Sequence, residues 1–246
     1  MKFYRSLFLR DIKVLSFDLD NTIYDCQSVL SAAEDWFTQY LCDTYGLGGK
    51  YRNYSYWAAV KSRILHEDMS LENDVTLLRA KSLVAAFSEI GIPLGRGLDE
   101  ALELVELFIK KRSSGIVCDS VLQMLRELKE KYPLIAISNG NLDTKILGVN
   151  HLFEQDFRPS RFVFNRKPYP DLFLECAKYK NIKAHEILHI GDDPYTDVYG
   201  AVCAGCRCVW LKGGYSGISP DSSNLKVLPD IEISSILELK TLLQYA

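Results

Sequence analysis

Asp18, Asp20, Thr22, Ser138, Asn139, Gly140, Lys167, Asp192, Asp193 and Asp197 are the residues of this 246-residue chain whose types and spacing could do chemistry. Asp18 and Asp20 follow the apolar run Val14-Leu15-Ser16-Phe17, which reads as a buried strand. Side chains alternate between the faces of a strand, so two acids two residues apart point the same way. Carboxylates aimed at one spot repel unless a cation binds, a proton is shared, or they divide two chemical roles. The plain alternative is a pair of solvated acids in the turn after a strand, and the rest of the chain decides between these readings.

The elements that position these residues follow from hydrophobic period and breakers. Helical spacing predicts helices over 28–45, with Ser28 as cap, and over 54–65, 73–90 and 98–111, so four helices precede the next strand. A further amphipathic helix over 119–131 ends at Pro133, before the strand 134–137, which runs into Ser138-Asn139-Gly140. Helical signal returns at 143–147, a short strand is expected at 161–164, and Pro170 suits the first turn of a helix to 180. The strand 186–190 runs into Gly191-Asp192-Asp193, followed by a small-residue helix over 197–204, a strand over 207–211, a long loop over 212–229 and a closing helix over 235–245.

Strand and helix alternate from 119 onward and the strands are apolar throughout, which indicates an α/β fold with a doubly wound parallel sheet covered on both faces. Ligands bind such sheets beyond the carboxyl ends of the strands. The motifs after Phe17, Ile137 and Ile190 share that edge, and Lys167 lies on a loop of the same half.

Composition narrows the function classes. With 29 basic and 32 acidic residues and a formal net charge of -3, the chain lacks the basic excess of a dedicated nucleic-acid binder, although a small anion could be held locally. Seven cysteines without the spacing of a disulfide framework favour a reducing compartment. No apolar run approaches the length of a membrane span or a signal segment, Met1 to Arg10 included. The expectation is a soluble, cytoplasmic protein with no membrane or nucleic-acid partner.

Asp18, Asp20, Asp192, Asp193 and Asp197 at one cleft would repel strongly without a compensating cation. Magnesium suits an all-oxygen donor set and keeps waters that a phosphate oxygen can replace. The Ser138 hydroxyl and the backbone amides of Asn139 and Gly140 could cradle an anion, and Lys167 would add a mobile positive charge. A phosphate held there could pass to Asp18 as a phosphoaspartate, with Asp20 as general acid and base.

Asp18-Leu19-Asp20-Asn21-Thr22, Ser138, Lys167 and Gly191 to Asp197 together resemble the four ordered motifs of the haloacid dehalogenase superfamily. The resemblance covers the core from residue 13 to about residue 211. It implies a Rossmann-like core over 1–24 and 115–246, a helical cap over 25–114 that selects substrate, and a magnesium-dependent aspartyl phosphatase mechanism. In the family the first acid is nucleophile and metal ligand, while the second gives its backbone carbonyl to the metal and its carboxylate to proton transfer. Fourth-motif spacing varies within the family, so Asp192 or Asp193 would ligate the metal directly, Asp192 being favoured, with Asp197 outside it. Thr22 would orient Asp20 or the turn and belong with the phosphate-binding residues.

Lys2-Phe3-Tyr4-Arg5, Asp74-Val75-Thr76 with Arg79, Ala136 to Asn141 and Glu186 to Asp193 are more narrowly similar to bacterial phosphatases of flavin mononucleotide (FMN) and of 5-amino-6-(5-phospho-D-ribitylamino)uracil, on the riboflavin pathway. The match is weakest at 46–56 and 91–97, in the cap. A small phosphate ester is therefore the expected partner; a sugar phosphate or nucleotide, dehalogenation, phosphomutase chemistry and a non-catalytic binding fold are the alternatives. Cys203, Cys206 and Cys208 lack a second pair with zinc spacing and read as core thiols. His66, His151, His185 and His189 read as structural. Trp36, Trp57, Tyr51, Tyr54 and Tyr56 could stack on a ring of the substrate or fill the cap core.

Overall fold

Every residue of the strands β2 (Val14–Phe17), β3 (Leu134–Ile137) and β5 (Ile187–Gly191) is buried, as strands covered on both faces must be. The structure, a computed structural model, describes residues 1–5, 9–217 and 225–244. With β1 (Lys2–Phe3), β4 (Gln155–Phe157), β6 (Arg207–Leu211) and β7 (Ile231–Ile233), these strands form one sheet in the order β1-β7-β6-β5-β2-β3-β4. All neighbours run parallel except β1 against β7. The doubly wound parallel architecture expected from the sequence is thus the observed one.

The chain leaves β2 toward β3 and β4, then returns to the other side of β2 to build β5, β6 and β7. Strand order reverses between β2 and β5, where an open α/β sheet forms its binding crevice. The pairing Ser16 with His189 and Phe17 with Ile190 brings Asp18 and Gly191 to that crevice together. Alternate side chains enter two apolar clusters on opposite faces. Leu15, Phe17, Leu134, Ala136, Leu188 and Ile190 belong to one, and Val14, Ile135, Ile137, Ile187, Cys208 and Trp210 to the other.

Between β2 and α5 (Asp119–Lys129) stand four helices: α1 (Cys26–Tyr45), α2 (Tyr54–Glu67), α3 (Val75–Ile90) and α4 (Leu98–Arg112). They bury a third cluster of their own, with Phe37, Leu41, Leu83, Phe87, Leu104 and Phe108 among its members. Helix α6 (Asp171–Lys180) precedes β5, while α7 (Gly200–Cys203) and α8 (Glu238–Gln244) complete the α-helices among the described residues. Among the described residues no helix is long and apolar enough to cross a membrane.

Several local expectations are corrected. Residues 161–164 form a turn closed by the bridge between Ser160 and Phe164, and the strand is Gln155–Phe157. The β-forming Phe162 and Val163 are exposed and gain nothing from a sheet. Residues 143–147 make a single turn, with the Leu147 N–H on the Asp143 carbonyl at 3.0 Å, and no helix. Asp25, not Ser28, caps α1, its carboxylate accepting the N–H groups of Gln27 and Ser28. Tyr245 and the middle of the 212–229 loop lie outside the described residues.

Candidate active site

Asp18 is the first residue past β2, and its N–H donates to the Ile190 carbonyl at 2.8 Å, so the β2–β5 ladder fixes where its side chain starts. Its carboxylate accepts Lys167 Nζ at 2.7 Å. The same ammonium donates to Asp197 Oδ1 at 2.6 Å. Lys167 is 1% exposed; the mobile cation expected from sequence is instead a clamped one. Asn139 holds its backbone from both sides, accepting the Lys167 N–H at 2.8 Å and donating to its carbonyl at 2.9 Å.

Asp197 sits in the π-helical turn Pro194–Tyr199. Its Oδ1 also meets His189 Nε2 at 3.2 Å, and its Oδ2 accepts the Asp193 N–H at 3.0 Å. His189 Nδ1 lies 2.9 Å from Ser16 Oγ. With a carboxylate on Nε2, that nitrogen carries the proton and Nδ1 accepts the Ser16 hydroxyl. Burial holds the His189 pKa below its usual value, so the imidazole is neutral there. Gly191 makes room for this arrangement, because a Cβ on it would lie 2.3 Å from the Asp197 carboxylate carbon.

Asp192 and Asp193 separate clearly. Asp193 turns its carboxylate to the N–H groups of Tyr195 and Thr196 at 2.8 and 2.7 Å, capping the turn that carries Asp197. Asp192 faces inward: one carboxylate oxygen each from Asp18, Asp192 and Asp197 lie within 4.8 Å of one another. Thr22 Oγ1 donates to Asp192 Oδ1 at 3.2 Å. Thr22 is fully buried, with its hydroxyl on Asp192 and its N–H on the Leu19 carbonyl of the turn at 3.2 Å.

Charge is out of balance in this group. With all three carboxylates ionised, Asp18, Asp192 and Asp197 would face one ammonium, Lys167, and leave two negative charges uncompensated. Burial lifts the Asp18 carboxyl to about 7 against the pull of Lys167, and Asp197 adds to the rise. Burial likewise lifts Asp192 to about 8, with Asp197 and Asp18 adding to it. Burial also opposes ionisation of Asp197, but Lys167 and His189 outweigh it and hold Asp197 well below the usual carboxylate range. Two surplus charges on hard oxygen donors fit a divalent cation such as magnesium.

Asp20 takes partners other than those of Asp18. Arg112 Nη2 donates to its Oδ1 at 2.8 Å and Oδ2 at 2.9 Å, and the Tyr24 hydroxyl donates to Oδ1 at 2.5 Å. Burial opposes ionisation here too, but Arg112 and Tyr24 outweigh it and hold the Asp20 carboxyl below its ordinary value. Arg112, the last residue of α4, is 4% exposed and its Nε has no partner among the described residues. Its Nη1 donates to Asn141 Oδ1 at 3.1 Å. Gly140 lets Asp20 approach, since a Cβ there would lie 2.6 Å from Asp20 Oδ2. Ser138 is buried beside it, with its Oγ 3.4 Å from the Gly140 nitrogen.

Arg112, Tyr24, His189 and Ser16 were not marked as site residues by sequence reasoning. For Arg112 a signal existed: it falls four residues after Phe108, on the buried stripe of α4 that contains Ala101, Leu104, Val105 and Phe108. His189 and Ser16 interrupt apolar strand runs, and a polar residue buried there needs a hydrogen-bond partner.

A family model described as haloacid dehalogenase-like hydrolase matches residues 12–205. The chain is 29% identical to the 5-amino-6-(5-phospho-D-ribitylamino)uracil phosphatase YigB of Escherichia coli, over 99% of this chain and 100% of that one. It is 26% identical to a glyceraldehyde 3-phosphate phosphatase of Pyrococcus furiosus, covering 84% of this chain and 83% of the relative. Among solved structures, a 2-haloacid dehalogenase from Pseudomonas syringae pv. Tomato superposes with a TM-score of 0.82 at 28% identity, over 96% of this chain and all 100% of that one.

Proposed function

The chain belongs to the haloacid dehalogenase-like hydrolases, and from that premise we propose that it is a magnesium-dependent phosphatase acting on a small phosphomonoester. The preferred substrate is FMN or 5-amino-6-(5-phospho-D-ribitylamino)uracil. The observation that carries the reading is the pair of uncompensated negative charges left by Asp18, Asp192 and Asp197 around Lys167, with a separate, ionised acid, Asp20, beside them. Similarity to the E. coli phosphatase over nearly the whole of both chains supports the substrate class.

Asp18, the backbone carbonyl of Asp20 and Asp192 would hold the cation, with Asp197 just outside it and Asp193 as the capping residue. Magnesium bound there would draw charge from the phosphoryl oxygens and balance the surplus acids. Ser138, the Gly140 amide and Lys167 bind the remaining phosphoryl oxygens. An oxygen of Asp18 attacks phosphorus and the bond to the leaving oxygen breaks; Asp20, having first taken up a proton from solvent, delivers it to that oxygen. Asp20 then takes a proton from water, whose oxygen attacks phosphorus and frees both phosphate and Asp18. Pairing with Arg112 favours the carboxylate form of Asp20 that the second step needs. His189 and Ser16 position Asp197, and through it Lys167. The four-helix insert acts as the cap over the site.

The likeness to a 2-haloacid dehalogenase favours a second reading, in which Asp18 displaces halide from carbon. That reaction needs neither a metal nor Asp20, whereas this chain pairs Asp20 deliberately with a buried arginine. Phosphate release from FMN and the ribityl uracil phosphate, with and without EDTA, and halide release from 2-chloropropionate separate the two. Asp18→Asn should abolish phosphate release; release that survives it, or halide release that survives EDTA, defeats the phosphatase reading.

A further inference from the structure

A cleft of about 220 Å³ leads from Asp20, Arg112 and Gly140 on the sheet side to Glu34, Lys61 and Arg79 on the insert. Behind these three residues lies a smaller cavity walled by Phe37, Leu41, Tyr54 and Trp57. The charged trio therefore forms the end wall of the cleft that opens from the general acid.

The three side chains are not equivalent. Arg79 is spent internally: it donates to Glu34 through both terminal nitrogens, Nη1 to Oε2 at 2.9 Å, and its guanidinium carbon lies 3.7 Å from the centre of the Phe108 ring. Glu34 is 8% exposed, each of its oxygens takes one Arg79 bond and the Tyr54 hydroxyl bonds to it as well; a carboxylate has about four acceptor sites, so capacity remains. Lys61 forms no hydrogen bond or ion pair among the described residues. Burial, then Arg79, keep its pKa below the usual value. The cleft wall thus presents an ammonium with no direct ion pair, close enough to the Glu34 carboxylate to feel its charge, beside acceptor oxygens that can still take a bond.

We propose that Lys61 and the Glu34–Arg79 pair select substrate by reading an imide edge, carbonyl–NH–carbonyl, on the leaving group. Lys61 donates to a ring carbonyl and Glu34 accepts the ring N–H. A leaving group ending in a carboxylate fits less well, because Glu34 would repel it beside Lys61. The apolar sides of the cleft, Leu30, Leu78 and Phe108, suit a flat ring. This inference rests on the phosphatase reading for its place in the reaction and extends it to the groups that choose the substrate. A pyrimidinedione and a flavin both carry such an edge.

The test uses the full chain and riboflavin, which has the imide but no phosphate, with binding followed by quenching of flavin fluorescence. Lys61→Met should weaken riboflavin binding at least tenfold and Lys61→Arg should retain it within threefold. 3-Methylriboflavin, which lacks the N–H, should bind the wild type at least tenfold more weakly than riboflavin. In turnover, the ratio of kcat/KM for FMN to that for glycerol phosphate should fall at least tenfold in Lys61→Met, through KM. An unchanged ratio, equal binding of the two flavins, or no riboflavin binding by the wild type overturns the inference, even where phosphate is released. Lys61-dependent flavin binding without phosphate release from any ester upholds the inference and defeats the phosphatase reading instead.

Discussion

Replacing Arg112 by methionine leaves Asp20 in place but removes its counter-charge. The pair is short, 2.8 and 2.9 Å, with Arg112 4% and Asp20 25% exposed at the side chain. Stranding one member of a buried pair costs about 3–5 kcal/mol, and partial access of water to Asp20 points to the lower end. Arg112→Met should therefore lose about 3 kcal/mol, which for a chain of this length is a drop in Tm of about 6–12 °C. Asp20→Asn strands the arginine in turn and should lose a similar amount. Independent losses would sum to about 6 kcal/mol, but the double variant leaves neither charge stranded and should lose about 3 kcal/mol or less, a coupling of about 3 kcal/mol. Thermal unfolding of the four proteins in one buffer measures this directly. Additive losses would refute the claim that these groups act as one buried unit. Turnover gives the second readout: Asp20→Asn should lose nearly all activity, while Arg112→Met, which keeps the acid and loses its orientation, should retain a measurable fraction.

Three further outcomes follow. EDTA should abolish phosphate release and magnesium restore it, and Asp192→Asn should raise the magnesium needed for half-maximal activity at least tenfold. Asp193→Ala should leave the magnesium requirement near normal and cost about 0.5–2 kcal/mol in urea unfolding, the size of a lost cap; the reverse pattern would exchange the roles given to these two acids. Gly191→Ala puts a carbon 2.3 Å from the Asp197 carboxylate, so that variant should be inactive and poorly folded by circular dichroism, and an active, stable Gly191→Ala protein would contradict the geometry.

The sheet was legible because its strands are short apolar runs, and a run buried on both faces needs no alternation to be seen. Asp18 and the acids after β5 were legible because they end such runs. β4 was not: Gln155-Asp156-Phe157 is an edge strand with one buried residue, whereas the β-forming residues at 162–163 lie on a turn and drew the strand assignment to themselves. Arg112 ends the run Lys110-Lys111-Arg112 and looks like one more cation favourable at a helix C-terminus; only its phase on α4 marks it. The division between Asp192 and Asp193 depends on which way each side chain leaves a turn after Gly191, which residue type does not encode.

The insert joins the sheet domain through two connections that touch. Cys26 Sγ lies 3.5 Å from Arg112 Nη2, and a Cβ on Gly115 would meet the Tyr24 ring at 2.9 Å. The ion pair between Asp20 and Arg112 bridges these two connections, and Asn73, which accepts the Arg166 N–H at 2.8 Å, ties the insert to the sheet side at a second place. The acid that moves the proton in the proposed reaction therefore takes its counter-charge from the insert, so a change in how α4 ends is felt at Asp20 directly.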